Sequence, residues 1–317
     1  MERSKYIALI PGILLLAALA YVALNYGELE RFAELVAHVD PLWIALASLF
    51  QAGTYFSLAM VWHRALAVNG ANYPLGRLFP LAVAKLFADQ ALPSAGISGI
   101  AFVIDAFKQR DISGPVGMGT MLLSLLSYYI AFAIVAIASF LALWLHHDVH
   151  RWTIIVAGLF FVLVIAVPGA ILLLTRRGGR NDLPAWLARL PVIAGVVETF
   201  HDVPDDMLRK PRLLFEATLW QSAIFALDAA TLWAMLAAVG EPLGFQLAFP
   251  AFVVASMVAT LSLIPLGLGS FELTCAALLV SLGARLETAL TATLLLRGFT
   301  VWLPMIPGLL LTRRALR

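Results

Sequence analysis

Residues 77–108 read RLFPLAVAKLFADQALPSAGISGIAFVIDAFK, and the rest of the chain is organised around them. The stretch is apolar enough for a bilayer, yet it is interrupted by Leu92-Pro93-Ser94-Ala95-Gly96 and again by Ser98-Gly99. Proline lacks an amide hydrogen and clashes with the preceding turn, so a helix is expected to stop near Leu92. The arm before the break then runs about 16 residues, or roughly 24 Å, against a hydrocarbon core of ~30 Å. The arm after it is no longer. Each arm is too short to span alone, and the pair is too long for one straight span. Two half-helices are therefore expected to meet inside the membrane. Unpaired backbone at that depth survives only where protein or a water-filled cavity satisfies its N–H and C=O groups, which makes the break a candidate site.

Composition sets the class. Of 317 residues, 62% are hydrophobic and 13% charged, and the mean hydropathy is +0.93. Soluble domains are nearer 45–50% apolar and ~25% charged, so an all-α polytopic membrane protein is expected. The net charge of +2 suggests no nucleic-acid partner, and the single Cys275 excludes an internal disulfide framework or a cysteine metal cluster. Six histidines form no HExxH; His146, His147 and His150 fall in one short expected loop and read as a solvated turn. No metal and no cofactor are expected.

Around the opening stretch the chain divides into about six full spans and two broken pairs. A basic leader precedes a first span over residues 6–24, whose Ala18-Leu19-Ala20 resembles a signal-peptidase site; an uncleaved span is expected. Residues 1–40 comprise this span and an acid-rich external loop. A second span starts at Pro41 and ends near His63-Arg64, a third covers residues 115–144, and a fourth residues 152–175. Residues 176–212 form the sizeable polar segment, with 183–200 a weakly amphipathic surface helix. A fifth span covers 213–239. A second broken stretch follows, 247–263 and 270–282 around Ile264-Pro265-Leu266-Gly267-Leu268-Gly269, and the last span is 287–311. If each broken stretch returns to its side of entry, 16 of the 21 Lys and Arg lie on one face. Arg31, Arg151 and Arg285 lie on the other, and Lys85 and Arg297 stay in the membrane. By the positive-inside rule both termini are expected in the cytoplasm, with the chain in the cell inner membrane. Parity alone leaves re-entrant pairs and thin full spans both open.

On this topology residues 41–145 and 213–317 share one plan in opposite orientations, joined by 146–212. Inverted repeats with helices broken near the midplane are a transporter pattern. The whole chain is thus expected to be one transmembrane domain.

Ionisable groups at membrane depth are costly and are functional or paired. Lys85 and Asp89, four apart, can pair with each other or meet a headgroup. Ser270 can cap the half-helix after Gly269, and Glu272 in its first turn suits that terminus or a substrate. Arg297 needs a partner, for which Glu272 is the candidate, and mid-span Asp228 could join that set. Asp105 reads as solvated. Gly96-Ile97-Ser98-Gly99 matches the GxSG of intramembrane serine proteases, but every histidine lies in a loop or at a span end, so no base is expected to activate Ser98.

With these residues in hand, the chain resembles the flippase-like family named for the transmembrane region of lysylphosphatidylglycerol synthases. LPSAGISG at 92–99, IPLGLGSFE at 264–272 and LLLRGFTVWLPMIPGLLL at 294–311 carry the resemblance, in order and spacing over nearly the whole chain. Glu272 and Arg297 fit the last two motifs, whereas residues 100–104 lack an arginine that the family often has there. The resemblance implies translocation of an amphipathic phospho- or glycolipid between leaflets, with hopanoid or lipid-linked-sugar pathways as possible settings. The synthase members add an aminoacyl-transfer domain; residues 1–317 hold none, so lipid aminoacylation is not expected. The substrate-binding candidates are Lys85, Asp89, Pro93, Ser94, Gly96, Ser98, Gly99, Asp228, Pro265, Gly267, Gly269, Ser270, Glu272 and Arg297. The expected partners are membrane lipids with anionic or lipid-linked headgroups, besides a homo-oligomer or a partner envelope enzyme. The alternatives are a non-catalytic accessory subunit of an envelope-modifying pathway and, last, an enzyme using Ser98. No nucleotide-binding motif is visible, so an ion gradient or the lipid gradient would supply any drive.

Overall fold

Proline, glycine and short polar caps set the helix boundaries. A computed structural model of the chain describes residues 39–71, 73–91, 97–146, 155–166, 169, 210–262, 267–304 and 307–308. The expected first span, the loop at 147–151, the surface helix at 183–200 and the break residues Pro93, Ser94, Gly96 and Pro265 lie outside the described residues. So do the side chain of Ser98 and all but residues 155–166 and 169 of the fourth span. Among the described residues all regular structure is helical.

The described helices are α1 (Pro41–Val68), α2 (Leu75–Ala91), α3 (Ile97–Lys108), α4 (Gly114–His146), α5 (Ile155–Ala166), α6 (Pro211–Ala238), α7 (Phe245–Leu261), α8 (Ser270–Ser281) and α9 (Leu286–Arg297), the last continued by a π-helical turn, Gly298–Trp302. Helices α1, α4 and α6 are long and apolar enough to cross a membrane. At 33 residues α4 is about 50 Å long, so it must tilt or protrude from a ~30 Å core.

The first three helices of each half match in length. Helices α1 and α6 each have 28 residues, α2 and α7 each have 17, and α3 and α8 each have 12. Pro41 and Pro211 open the long helices at their first turn, where a missing amide hydrogen costs nothing. Gly70 and Gly240 close the following turns with φ of +75° and +74°. Pro80 and Pro250 interrupt α2 and α7 at the sixth residue of each. These pairs, with buried Gln51 and Gln221, share one constant offset along the chain. Contacts follow the same scheme in both halves: the long helix packs on the first arm, the arms pack on each other, and the second arm packs on the helix after it.

The halves meet along α1 and α6, the most extensive helix pair among the described helices. They run antiparallel and centre on centre. Trp43 meets Trp233 edge to face at 5.3 Å near one end, and at the other Arg64 bonds Glu216 at 2.6 Å. Gly53 lets α1 approach, since a Cβ there would stand 3.0 Å from Leu227 Cδ1. Small residues do this work between membrane helices because close backbone packing, rather than water exclusion, drives their association. Phe132 on α4 packs between Phe160 of α5 and Phe225 of α6, at 4.5 and 4.6 Å. Exposed Leu49, Phe56, Ile134, Ile137, Leu159 and Val162 give the outer surface the apolar character that lipid requires.

Glu241, just after Gly240, is buried at the far end of α6. It accepts the Thr288 hydroxyl at 2.5 Å and the Arg285 amide at 3.3 Å, with the Arg285 guanidinium 3.5 Å away. It therefore satisfies the start of α9. Glu241→Ala is expected to cost about 1–3 kcal/mol by stranding those donors. Glu241→Gln, which keeps an acceptor, should lose less; thermal melting in detergent would rank the two.

Candidate functional site

A helix start presents amide hydrogens with no partner in the helix and attracts negative charge. At the first break Asp89, near the end of α2, provides that charge across the gap. Its Oδ1 accepts the Gly99 amide, third residue of α3, at 3.0 Å, and its Oδ2 pairs with Lys85 Nζ at 2.5 Å. One carboxylate thus joins both arms and neutralises the Lys85 cation. A Cβ on Gly99 would displace the Asp89 carboxylate. The side chains of Lys85 and Asp89 remain 21% and 19% accessible, so the pair borders open space.

The second break is built from the opposite arm. Gly269, at φ +83°, precedes α8, and Glu272 Oε2 accepts its amide at 2.6 Å. The other oxygen, Oε1, accepts Arg297 Nε at 2.6 Å, and the guanidinium lies 4.9 Å over the Phe271 ring. This cation–π contact adds to the ion pair. Arg297 stands where α9 passes into the π turn, a rare backbone form that recurs at functional sites. Ser270 does not cap α8. It is the first helical residue, and its hydroxyl is 3.0 Å from both Ser262 Oγ and the Gly267 carbonyl. Glycine holds the cap because a left-handed φ is needed there.

At the same offset Asp89 corresponds to Ala259, the fifteenth residue of α7, and Gly99 to Gly269, the cap of α8. The carboxylate therefore reaches the start of each second arm, from the first arm in one half and from the second in the other. Gly267, φ +61°, leans on the vacated position, where its Cβ would lie 2.6 Å from Ala259 Cβ. Gly267→Ala is expected to cost about 2 kcal/mol through strain and overpacking. Gly269→Ala, which meets open space, should lose about 1 kcal/mol from the backbone alone. Melting temperatures in detergent should fall in that order.

Asp228 belongs to a different cluster. Its Oδ1 accepts Gln51 Nε2 at 2.9 Å, and the same amide lies 3.0 Å from Thr231 Oγ1, where α1 and α6 cross. Gln51 and its counterpart Gln221, which binds Ser124 of α4 at 3.2 Å, escaped the sequence analysis. An amide inside an apolar span, repeated at the offset of the prolines, was the available signal. Asp105 is exposed, bonded to Gln109 at 2.9 Å. Ser98 sits in the first turn of α3, and His63 is bound to the Tyr73 carbonyl at 2.9 Å.

Comparison with known proteins places the chain. Residues 9–308 match the family described as Lysylphosphatidylglycerol synthase TM region, and the chain belongs to that family. It is also similar to the UPF0104 membrane protein PH1989 of Pyrococcus horikoshii, 21% identical over 323 aligned residues, covering 96% of this chain and 95% of that protein.

Proposed function

From membership of that membrane family, we propose that the protein is a flippase-like transporter that moves an amphipathic phospho- or glycolipid between the leaflets of the cell inner membrane. The observation that carries the proposal is the duplicated break: a carboxylate, a cation and a half-helix N-terminal amide, once as Asp89, Lys85 and Gly99 and once as Glu272, Arg297 and Gly269. Half-helix termini with an attached charge are how broken-helix transporters hold ionic substrates near the midplane. An anionic headgroup offers the same oxygens as the carboxylates, so it can exchange with them at Lys85 and Arg297 while its tails stay in lipid. The matched halves, joined by antiparallel α1 and α6, support an inverted repeat in which the two broken pairs are re-entrant gates opening on alternate sides. The basic residues support cytoplasmic termini. Binding and release suffice for this cycle, and no bond in the lipid need be broken.

The test is a leaflet-sidedness assay on purified protein in liposomes with a panel of fluorescent headgroup-labelled lipids. Faster exchange of one class, lost in Arg297→Ala protein that still folds, is the expected result. No acceleration for any lipid would overturn transport and favour an accessory role.

A further inference from the structure

A carboxylate in the membrane interior without a counter-charge marks an ion or proton pathway. Among the described residues four other carboxylates shielded from solvent have a basic partner: Asp89 with Lys85 at 2.5 Å, Glu216 with Arg64 at 2.6 Å, Glu272 with Arg297 at 2.6 Å, and Glu241 with Arg285 at 3.5 Å. Among the described residues Asp228 has no such partner, and one hydrogen bond, from the neutral Gln51 amide, reaches it. It is the eighteenth of the 28 residues of α6, roughly 5 Å from the helix midpoint. Its counterpart in α1 is the apolar Leu58. The duplicated architecture therefore does not require an acid here, although it does duplicate the glutamine.

The surroundings fit a proton better than a metal ion. Gln51 turns its N–H side to Asp228, and a cation would meet those hydrogens. Among the described residues no group of three or more His, Cys, Asp or Glu assembles to hold one. Among the described residues the groups within electrostatic reach are phenols, Tyr55 of α1 and Tyr128 of α4, and the Tyr55 hydroxyl is buried with no hydrogen-bond partner there. Tyr129 adjoins Tyr128, with ring centroids 5.5 Å apart. Helix α7 carries no ionisable side chain, and the two on α9 stand at its ends, Glu287 in the first turn and Arg297 in the last. At the end of α1, His63 binds a carbonyl and Arg64 binds Glu216.

We propose that Asp228 is the proton-coupling site of the transport cycle, an inference that rests on the transport reading above. Hydronium gives one proton to the Asp228 carboxylate, leaving water and a neutral carboxylic acid, and the reverse step on the other side returns the proton. One negative charge between α1 and α6, where the halves meet, thus appears and disappears once per cycle.

The experiment follows labelled-lipid leaflet ratios in proteoliposomes with no pH gradient and with a one-unit gradient of either sign. One coupled proton should shift the steady-state ratio by up to about tenfold, in opposite directions for the two gradients. Asp228→Asn protein of unchanged melting temperature should exchange lipid with no gradient response, whereas Asp228→Glu should retain one. Wild-type exchange indifferent to the gradient, or a response that survives in Asp228→Asn, would overturn the proposal. If wild-type protein exchanges no lipid, the transport reading fails and proton coupling falls with it. Infrared pH titration then decides whether Asp228 itself titrates, through a carboxylic-acid C=O band that is absent from Asp228→Asn. No such band in the wild type would dismiss Asp228 as a proton site altogether.

Discussion

Arg297→Ala protein is expected to exchange lipid no faster than protein-free liposomes, and to unfold more readily by about 3–5 kcal/mol. The stability loss comes from what is left behind. Arg297 and Glu272 are only 13% and 15% accessible, so the substitution strands a shielded carboxylate and removes the cation above Phe271. Adding Glu272→Gln removes the orphaned charge while keeping an oxygen to accept the Gly269 amide. The double variant should therefore be more stable than Arg297→Ala alone, by melting in the same detergent, and still transport nothing. If it transported at the wild-type rate, the cation would serve the fold and not the headgroup.

The arms on either side of Pro93 and Pro265 were legible because proline and glycine act locally. The expected arms at 247–263 and 270–282 compare with α7 at Phe245–Leu261 and α8 at Ser270–Ser281. The Lys85–Asp89 pair was legible from its four-residue spacing, and Glu272 with Arg297 from the need of each charge for a partner. What escaped crosses between elements. Asp89 bonding Gly99 and Gln51 bonding Asp228 depend on arm angle and helix register, which periodicity does not record. Spans apolar all round also hide which face turns inward. Ser270 misled because serine is the better cap by residue type, whereas the +83° backbone at Gly269 decided the position. The constant offset between the two halves rests on a few scattered identities, from Pro41 and Pro211 to Pro80 and Pro250, too sparse to stand out along the chain.

At the first break, Asp89→Ala should be among the most damaging single changes in the protein, and its two roles can be separated. The carboxylate accepts the α3 amide at Gly99 and neutralises Lys85. Alanine loses both, leaving an unpaired ammonium and a helix start without its acceptor, for about 3–5 kcal/mol. The Asp89→Asn variant can still accept the amide hydrogen through its side-chain carbonyl but cannot offset the charge, so it should lose less. Combining Asp89→Asn with Lys85→Met removes the ammonium as well and should recover most of the melting temperature, because removing both charges of a shielded pair costs far less than removing one. Exchange in liposomes then separates latch from site. The stable, charge-free double variant should fold yet move lipid slowly, since the cation that meets an anionic headgroup is gone. Wild-type exchange by that variant would mean that Lys85 and Asp89 only hold α2 to α3, leaving Arg297 as the headgroup cation.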